Sequence, residues 1–370
     1  MGLVCAFSVS AIPNHELIKN LSDRIKDLPD GRGSLIKSFT DHSQSYIYDQ
    51  ALAVIAFTKA GDQRSAQRLL KGLSSLQLKD GSLYFSYYLD GKSPYPKDGD
   101  KRFAGAIAWV ALAATHYQNK FHQKEFVNFN KKILNYMNKE MLPIEIKGTV
   151  TRALRFAPSD IKETPWSEND TAALEHNLDA YAAFYHFGKT NKTAAWNKNV
   201  GELRQFILAM WDKGDSHFWS GATIKSGSIN KSELYLDNQT WSLLALSKTD
   251  LKEIKPHDAL ELNCEIFMVN HEGVTGFMDS KPTRRPASSK FVWSEGSLGQ
   301  ILAMKKMDKK CNKKSSDDFL VSVMKMKKKD GGIAYSTTTV NPDFTTSSSV
   351  AGTAWMYFAI NNINPFEVDS

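Results

Sequence analysis

At 370 residues, 42% hydrophobic and 24% charged, the chain has the make-up of a soluble globular protein able to bury a sizeable core without staples. After residue 11 no segment reaches the roughly 20 apolar residues that span a bilayer, so no membrane span is expected. The formal charge of +7 is concentrated between Lys305 and Lys329, which reads as a solvated outer helix with its loops, or else as a docking patch for an acidic polymer or membrane. No nucleic-acid motif accompanies it, and no nucleic-acid partner is expected.

Residues 1–11 are apolar and uncharged, and Val9-Ser10-Ala11 fits the small-residue rule for signal cleavage. They are expected to be the remnant of a secretion signal that starts upstream, with a buried N-terminal strand as the alternative. The location implied is periplasmic or secreted, with a cytoplasmic one as the alternative. Residues 12–370 show no composition break and are expected to form one domain. Along them an Ala-rich helix, apolar on most faces, alternates with an amphipathic one. The amphipathic His15 to Lys26 comes first, then the apolar Tyr46 to Thr58 with Gln63 to Gln77, and Phe103 to Tyr117 with Gln123 to Lys139. Asn177 to Phe187 with Ala194 to Trp211, Asn238 to Leu246 with His257 to Val269, and Glu295 to Met304 with Ser316 to Lys327 follow. The last apolar helix, Val350 to Ile360, has no amphipathic successor.

A helix apolar on most faces must be buried on most faces, and an amphipathic one covers it. Pairing the unpartnered last helix with the unpartnered first one makes six hairpins and closes a ring. The fold expected is therefore all-α, a single (α/α)6 toroid. The repeat of about 55–75 residues exceeds that of most helical solenoids, which also want capping repeats at both ends.

In such a ring the inner helices run parallel, and the residues at their N-termini line one funnel. Four of the six carry an acid there, at Asp49, Glu175, Asp237 and Glu295, and Asp179 lies one turn beyond Glu175. Each alone reads as a cap or a dipole partner. Together they converge, and like charges with burial push one carboxyl pKa upward, which is the pairing glycosidic cleavage needs. Glu295 is the expected acid and Asp49 or Asp237 the expected base. Glu175, Asp179 and His176 are expected to bind sugar hydroxyls, with Tyr48, Gln239, Trp241 and Trp293 beside them. Arg102 stands ready to meet an acidic sugar or to balance the acids.

The segments Tyr46-Ile47-Tyr48-Asp49-Gln50-Ala51-Leu52-Ala53, Glu175-His176-Asn177-Leu178-Asp179-Ala180-Tyr181, Trp293-Ser294-Glu295-Gly296 and Ala354-Trp355 to Asn364-Pro365-Phe366 resemble those of the bacterial six-hairpin glycosidase-like superfamily. The resemblance covers residues 40 to 366. It implies a carbohydrate polymer or oligosaccharide as partner and its hydrolysis, commonly with inversion, as the reaction. Lysis, epimerisation and non-catalytic glycan binding stay open. Two other toroids fit less well. Ser167-Glu168-Asn169-Asp170-Thr171-Ala172 resembles the acid motif of terpene cyclases, but Asn169 stands where their proton-donating Asp belongs. A zinc-dependent cyclase needs a Cys/His cluster, whereas Cys264 and Cys311 give at most one disulfide, so neither metal nor cofactor is expected.

Overall fold

The structure is a computed structural model describing residues 12–368 except 93, 97, 98, 100, 159–169, 282–289, 342 and 343. The proposed signal remnant at 1–11, and residues 167–169 of the cyclase-like motif, lie outside the described residues.

Among the described residues twelve α-helices alternate between an outer and an inner layer. The inner ones are α2 (Ile47–Ala60), α4 (Ala104–Phe121), α6 (Leu174–Thr190), α8 (Leu236–Ala245), α10 (Ser294–Met307) and α12 (Val350–Ile360). The outer ones are α1 (Asn14–Asp23), α3 (Gln63–Ser75), α5 (Val127–Glu140), α7 (Asn197–Ala209), α9 (Pro256–Ile266) and α11 (Ser316–Val323). Each inner helix packs on the next, and α12 packs on α2 and on α1, so the ring is closed between the two ends of the chain. Among the described residues no helix is long and apolar enough to cross a membrane.

The division into layers follows from side-chain periodicity. In α2 every residue from Ile47 to Thr58 except Tyr48 is buried. In α3 burial falls on Ser65, Ala66, Leu69, Leu70, Gly72 and Leu73, the single stripe of an amphipathic helix. Gly61 ends α2 in the left-handed conformation, φ 81°, its N–H returning to Phe57 and Thr58 carbonyls. The lysine-rich stretch lies on the end of α10 and around α11, where Lys305, Lys306 and Lys327 pair with Asp317, Glu367 and Glu16.

Two devices set the inner helices at a common level. Five of the six have no side-chain N-cap hydrogen bond; Ser349 at α12 is the exception. The first N–H of each donates instead to a carbonyl of a neighbouring loop, Phe85, Phe156, Ser220, Asp279, Tyr335 and Ser38 in ring order. Second, the fourth residue of five of them is polar and clamps the loop that follows the preceding outer helix. Gln50 bonds both backbone groups of Ile36, Asn177 those of Leu154, Gln239 those of Phe218 and Ser297 those of Phe277. Thr353 accepts from Ile333 N–H. The loops add two-stranded ladders to the all-α frame, the longest being Met141–Ile146 with Thr149–Leu154.

Candidate active site

With first turns level, equivalent positions form layers. The second residues of the inner helices are Tyr48, Gly105, Glu175, Asp237, Glu295 and Ala351. One turn deeper on the same face lie Leu52, Trp109, Asp179, Trp241, Gly299 and Trp355. A cavity of about 810 Å³ opens above and between these layers, walled by Phe39, Phe85, Tyr95, Phe103 and Phe156 from the loops.

The upper layer is a set of carboxyls. Glu295, 2% exposed, accepts a hydrogen bond from the Tyr48 hydroxyl, which itself accepts one from Trp355 Nε1 at 3.1 Å. Burial pushes the Glu295 carboxyl up to about 8. The charges of Asp49 and Asp237 add to the rise, and hydrogen bonds from Tyr48 and Tyr335 oppose it. Asp49, 4% exposed, is raised to about 7 by burial, against a hydrogen bond from Ser38 and the charge of Arg24. Glu175 and Asp237 hydrogen-bond to each other. Burial raises both, and the pair shares one proton across that bond. Glu175 keeps 32% of its side chain open to the cavity, so water there screens it more than it screens Glu295.

The deeper layer is a floor. Trp241 stacks parallel on Trp355 at 6.2 Å, and Phe366 packs 4.8 Å from Trp109 and 5.7 Å from Trp241. Phe366 belongs to a segment crossing the far end of the ring, where Asn364 Nδ2 donates to Leu244 O and His116 Nε2 meets Pro365 O. Asp179, 2% exposed, faces the cavity from this floor. Burial holds its carboxyl well above the usual range, helped by the charges of Glu175 and Asp237 and opposed by the Trp109 indole. Gly105 makes room for it, since a Cβ there would lie 2.8 Å from Asp179 Oδ2 and 2.4 Å from His176 Cδ2. Among the described residues no group of three His, Cys, Asp or Glu is arranged to hold a metal ion.

No protein-family model matches the sequence, and no curated protein matches it. Solved structures do match along nearly the whole chain. A sugar epimerase from a ruminal bacterium superposes with a TM-score of 0.64 at 12% identity, covering 94% of this chain and 98% of that one. A family 76 glycoside hydrolase, an α-mannanase of Bacteroides thetaiotaomicron, gives 0.63 at 12%, covering 95% and 96%. A wild-type glycosidase gives 0.65 at 8%, covering 95% and 96%. The fold is the (α/α)6 toroid that these structures share.

Within this toroid the cavity gathers Tyr48, Asp49, Glu175, His176, Asp179, Trp241 and Glu295 from the residues that the sequence singled out. Asp237 stands behind Glu175. Three others are elsewhere. Gln239 is the fourth residue of α8, and both ends of its amide are committed to Phe218, leaving no atom for a sugar. Arg102 turns to Asp80 Oδ2 at 3.2 Å, outside the cavity, and balances that acid instead of the cluster. Trp293 lays its ring over Gly296 and packs edge-on against Tyr335 and Phe344. His176 is a neutral imidazole, lowered to about 3 by burial and stacked 4.2 Å from Phe156, with Nε2 3.4 Å from Glu175 Oε1.

Sequence reasoning missed Tyr335, Trp109 and Arg24. Trp109 had a signal, lying four residues after Gly105 on the same helical face. Tyr335 and Arg24 had none. One comes from a Gly-rich loop, and the other reaches Asp49 from the end of the outer helix α1. Cys264 and Cys311 form a disulfide, with Cα atoms 5.6 Å apart.

Proposed function

We propose that the protein is a glycoside hydrolase in which Glu295 is the general acid and Glu175 the general base. The observation that carries this is a buried carboxyl pushed up to about 8, Glu295, in the same aromatic-walled cavity as Glu175, which keeps 32% of its side chain open and shares a proton with Asp237. The sequence favoured Asp49 or Asp237 as base. Accessibility moves the role, because Asp49 lines the cavity only 4% exposed where Glu175 keeps 32% of its side chain open, and Asp237 does not line the cavity. Glu295 gives its proton to the glycosidic oxygen as the bond to the anomeric carbon breaks. Water attacks that carbon from the other face and loses its proton to Glu175. The negative charge of Asp49 helps to keep Glu295 protonated between turnovers.

Helix α8 stands between the helices carrying the acid and the base, a separation that suits inversion, where the carboxyls lie about 6.5–9.5 Å apart. The matching glycosidase has also been solved with glutamates replaced by alanine, in one case in complex with glucose, and with a tyrosine replaced by phenylalanine. In this chain two glutamates and a tyrosine, Glu175, Glu295 and Tyr48, line one cavity. Export from the cytoplasm belongs to the same reading, supported by the apolar residues 1–11 and by a disulfide of the kind that persists in oxidising compartments.

The test is product release from a panel of oligo- and polysaccharides, with the anomeric configuration of the first product followed by NMR. Glu295→Gln and Glu175→Gln are each expected to lower kcat at least about a hundredfold, acid–base roles being worth about 10²–10⁴. Turnover surviving both changes, or binding without turnover in the wild type, would overturn the assignment.

A further inference from the structure

Buried polar side-chain atoms almost always have partners, so those without one mark where a ligand's groups belong. Three such atoms face the cavity from its floor, Trp109 Nε1, Asp179 Oδ1 and Trp241 Nε1, and all three residues line the cavity. The Trp109 indole already acts on the Asp179 carboxyl, which leaves Asp179 and Trp241 to be compared. They occupy equivalent positions on the neighbouring helices α6 and α8, one turn below Glu175 and Asp237. One is an oxygen that accepts and the other an N–H that donates. Two adjacent hydroxyls of a sugar satisfy both, one donating to Asp179 and the other accepting from Trp241.

The floor is also closed. Trp109, Trp241, Trp355 and Phe366 pack against one another across the ring axis, so no polymer can thread past them. Whatever sugar reaches Asp179 is the end of its chain. A sugar carboxylate there would be one more charge out of water, set among the buried carboxyls of Asp179, Glu175 and Glu295 over a floor of indole rings, whereas the ammonium group of Lys101, which also lines the cavity, comes from the loop before α4 and lies 5.7 Å from the Phe103 ring. The lysine-rich surface around α11 therefore does not select an acidic sugar at this site.

We propose that this floor is a closed subsite for the terminal sugar of a neutral glycan, gripped through two adjacent hydroxyls by Asp179 and Trp241, so that the enzyme releases monosaccharides from chain ends. The release rests on the hydrolase reading; the grip does not.

The experiment has two arms. In the first, glucose, mannose, galactose and glucuronate are titrated calorimetrically into wild type, Asp179→Ala and Trp241→Phe, each checked for native circular dichroism. One neutral hexose is expected to bind wild type at one site, glucuronate to bind at least tenfold more weakly, and each substitution to weaken the hexose at least tenfold. In the second, wild type alone digests a neutral oligosaccharide series, and monosaccharide is expected as the sole first product. No hexose binding at millimolar concentration, preference for glucuronate, affinity unchanged in both variants, or oligosaccharides as first products would each overturn the subsite. Hexose binding that is lost in the variants, without any hydrolysis, would leave the subsite standing and remove the hydrolase reading.

Discussion

Glu295 is a carboxyl that folding makes harder to ionise, and the cost appears with pH. Its folded pKa of about 8 lies above its ordinary value of 4.5. The stability it contributes is therefore fully present below pH 4.5 and is lost as pH rises through 8. Every tenfold change in a group's proton affinity is worth about 1.4 kcal/mol. After allowance for cavity water, Glu295→Gln should gain roughly 2–4 kcal/mol over wild type at pH 9 and nothing at pH 4, read by urea unfolding at the two pH values. In the mechanism proposed above, the same proton should set the alkaline limb of activity near pH 8, read from kcat/KM profiles. Tyr48 tunes it, because its hydroxyl favours the ionised carboxylate. Tyr48→Phe should leave Glu295 protonated to higher pH and move that limb upward in kcat/KM profiles. The lost bonds to Glu295 and Trp355 cost about 1–2 kcal/mol of stability.

The inner helix shows what the sequence could and could not tell. Alternation of all-round apolar and one-sided helices located all twelve, because burial on every face leaves a compositional mark that needs no partner to be read. The acids at the second position were legible for the same reason, being charges where an apolar helix begins. Gln239 was misread because it lies two residues after Asp237. Two residues are about 200° of helical turn, so one side chain faces the cavity and the other faces a loop. The hairpin Met141–Ile146 with Thr149–Leu154 escaped notice for a local reason. Lys147 and Gly148 both have positive φ, 51° and 77°, the geometry of a tight hairpin turn, but Lys is not the residue that announces it. The clamps carry a prediction of their own. Gln239→Ala strands the buried N–H and carbonyl of Phe218 and should cost about 2–4 kcal/mol in urea unfolding. Ile107, the fourth residue of α4, has no clamping amide, so Ile107→Val should cost only about 0.5–1.5 kcal/mol, as usual for a lost methylene.

At the scale of the whole ring, stability and chemistry meet at the seam where the chain's two ends join. Arg24, just after α1, is buried and donates to the carbonyls of Ser38 and Ser348, to the Ser348 hydroxyl and to Asp330. It thereby ties the first hairpin to the loop entering α12. Its charge also reaches Asp49, whose pKa it lowers. Arg24→Met keeps much of the apolar stem while removing the fork, and leaves two buried carbonyls without these donors. A loss of about 2–3 kcal/mol follows, checked by thermal and urea unfolding. The effect on the site has the opposite sign to that of Tyr48→Phe. Without the guanidinium, the Asp49 pKa rises further and its neutral form gains. A neutral Asp49 no longer repels charge from Glu295, so Glu295 ionises earlier and the alkaline limb of kcat/KM shifts to lower pH. A seam that only held the ring together would lower the melting temperature and leave the limb in place.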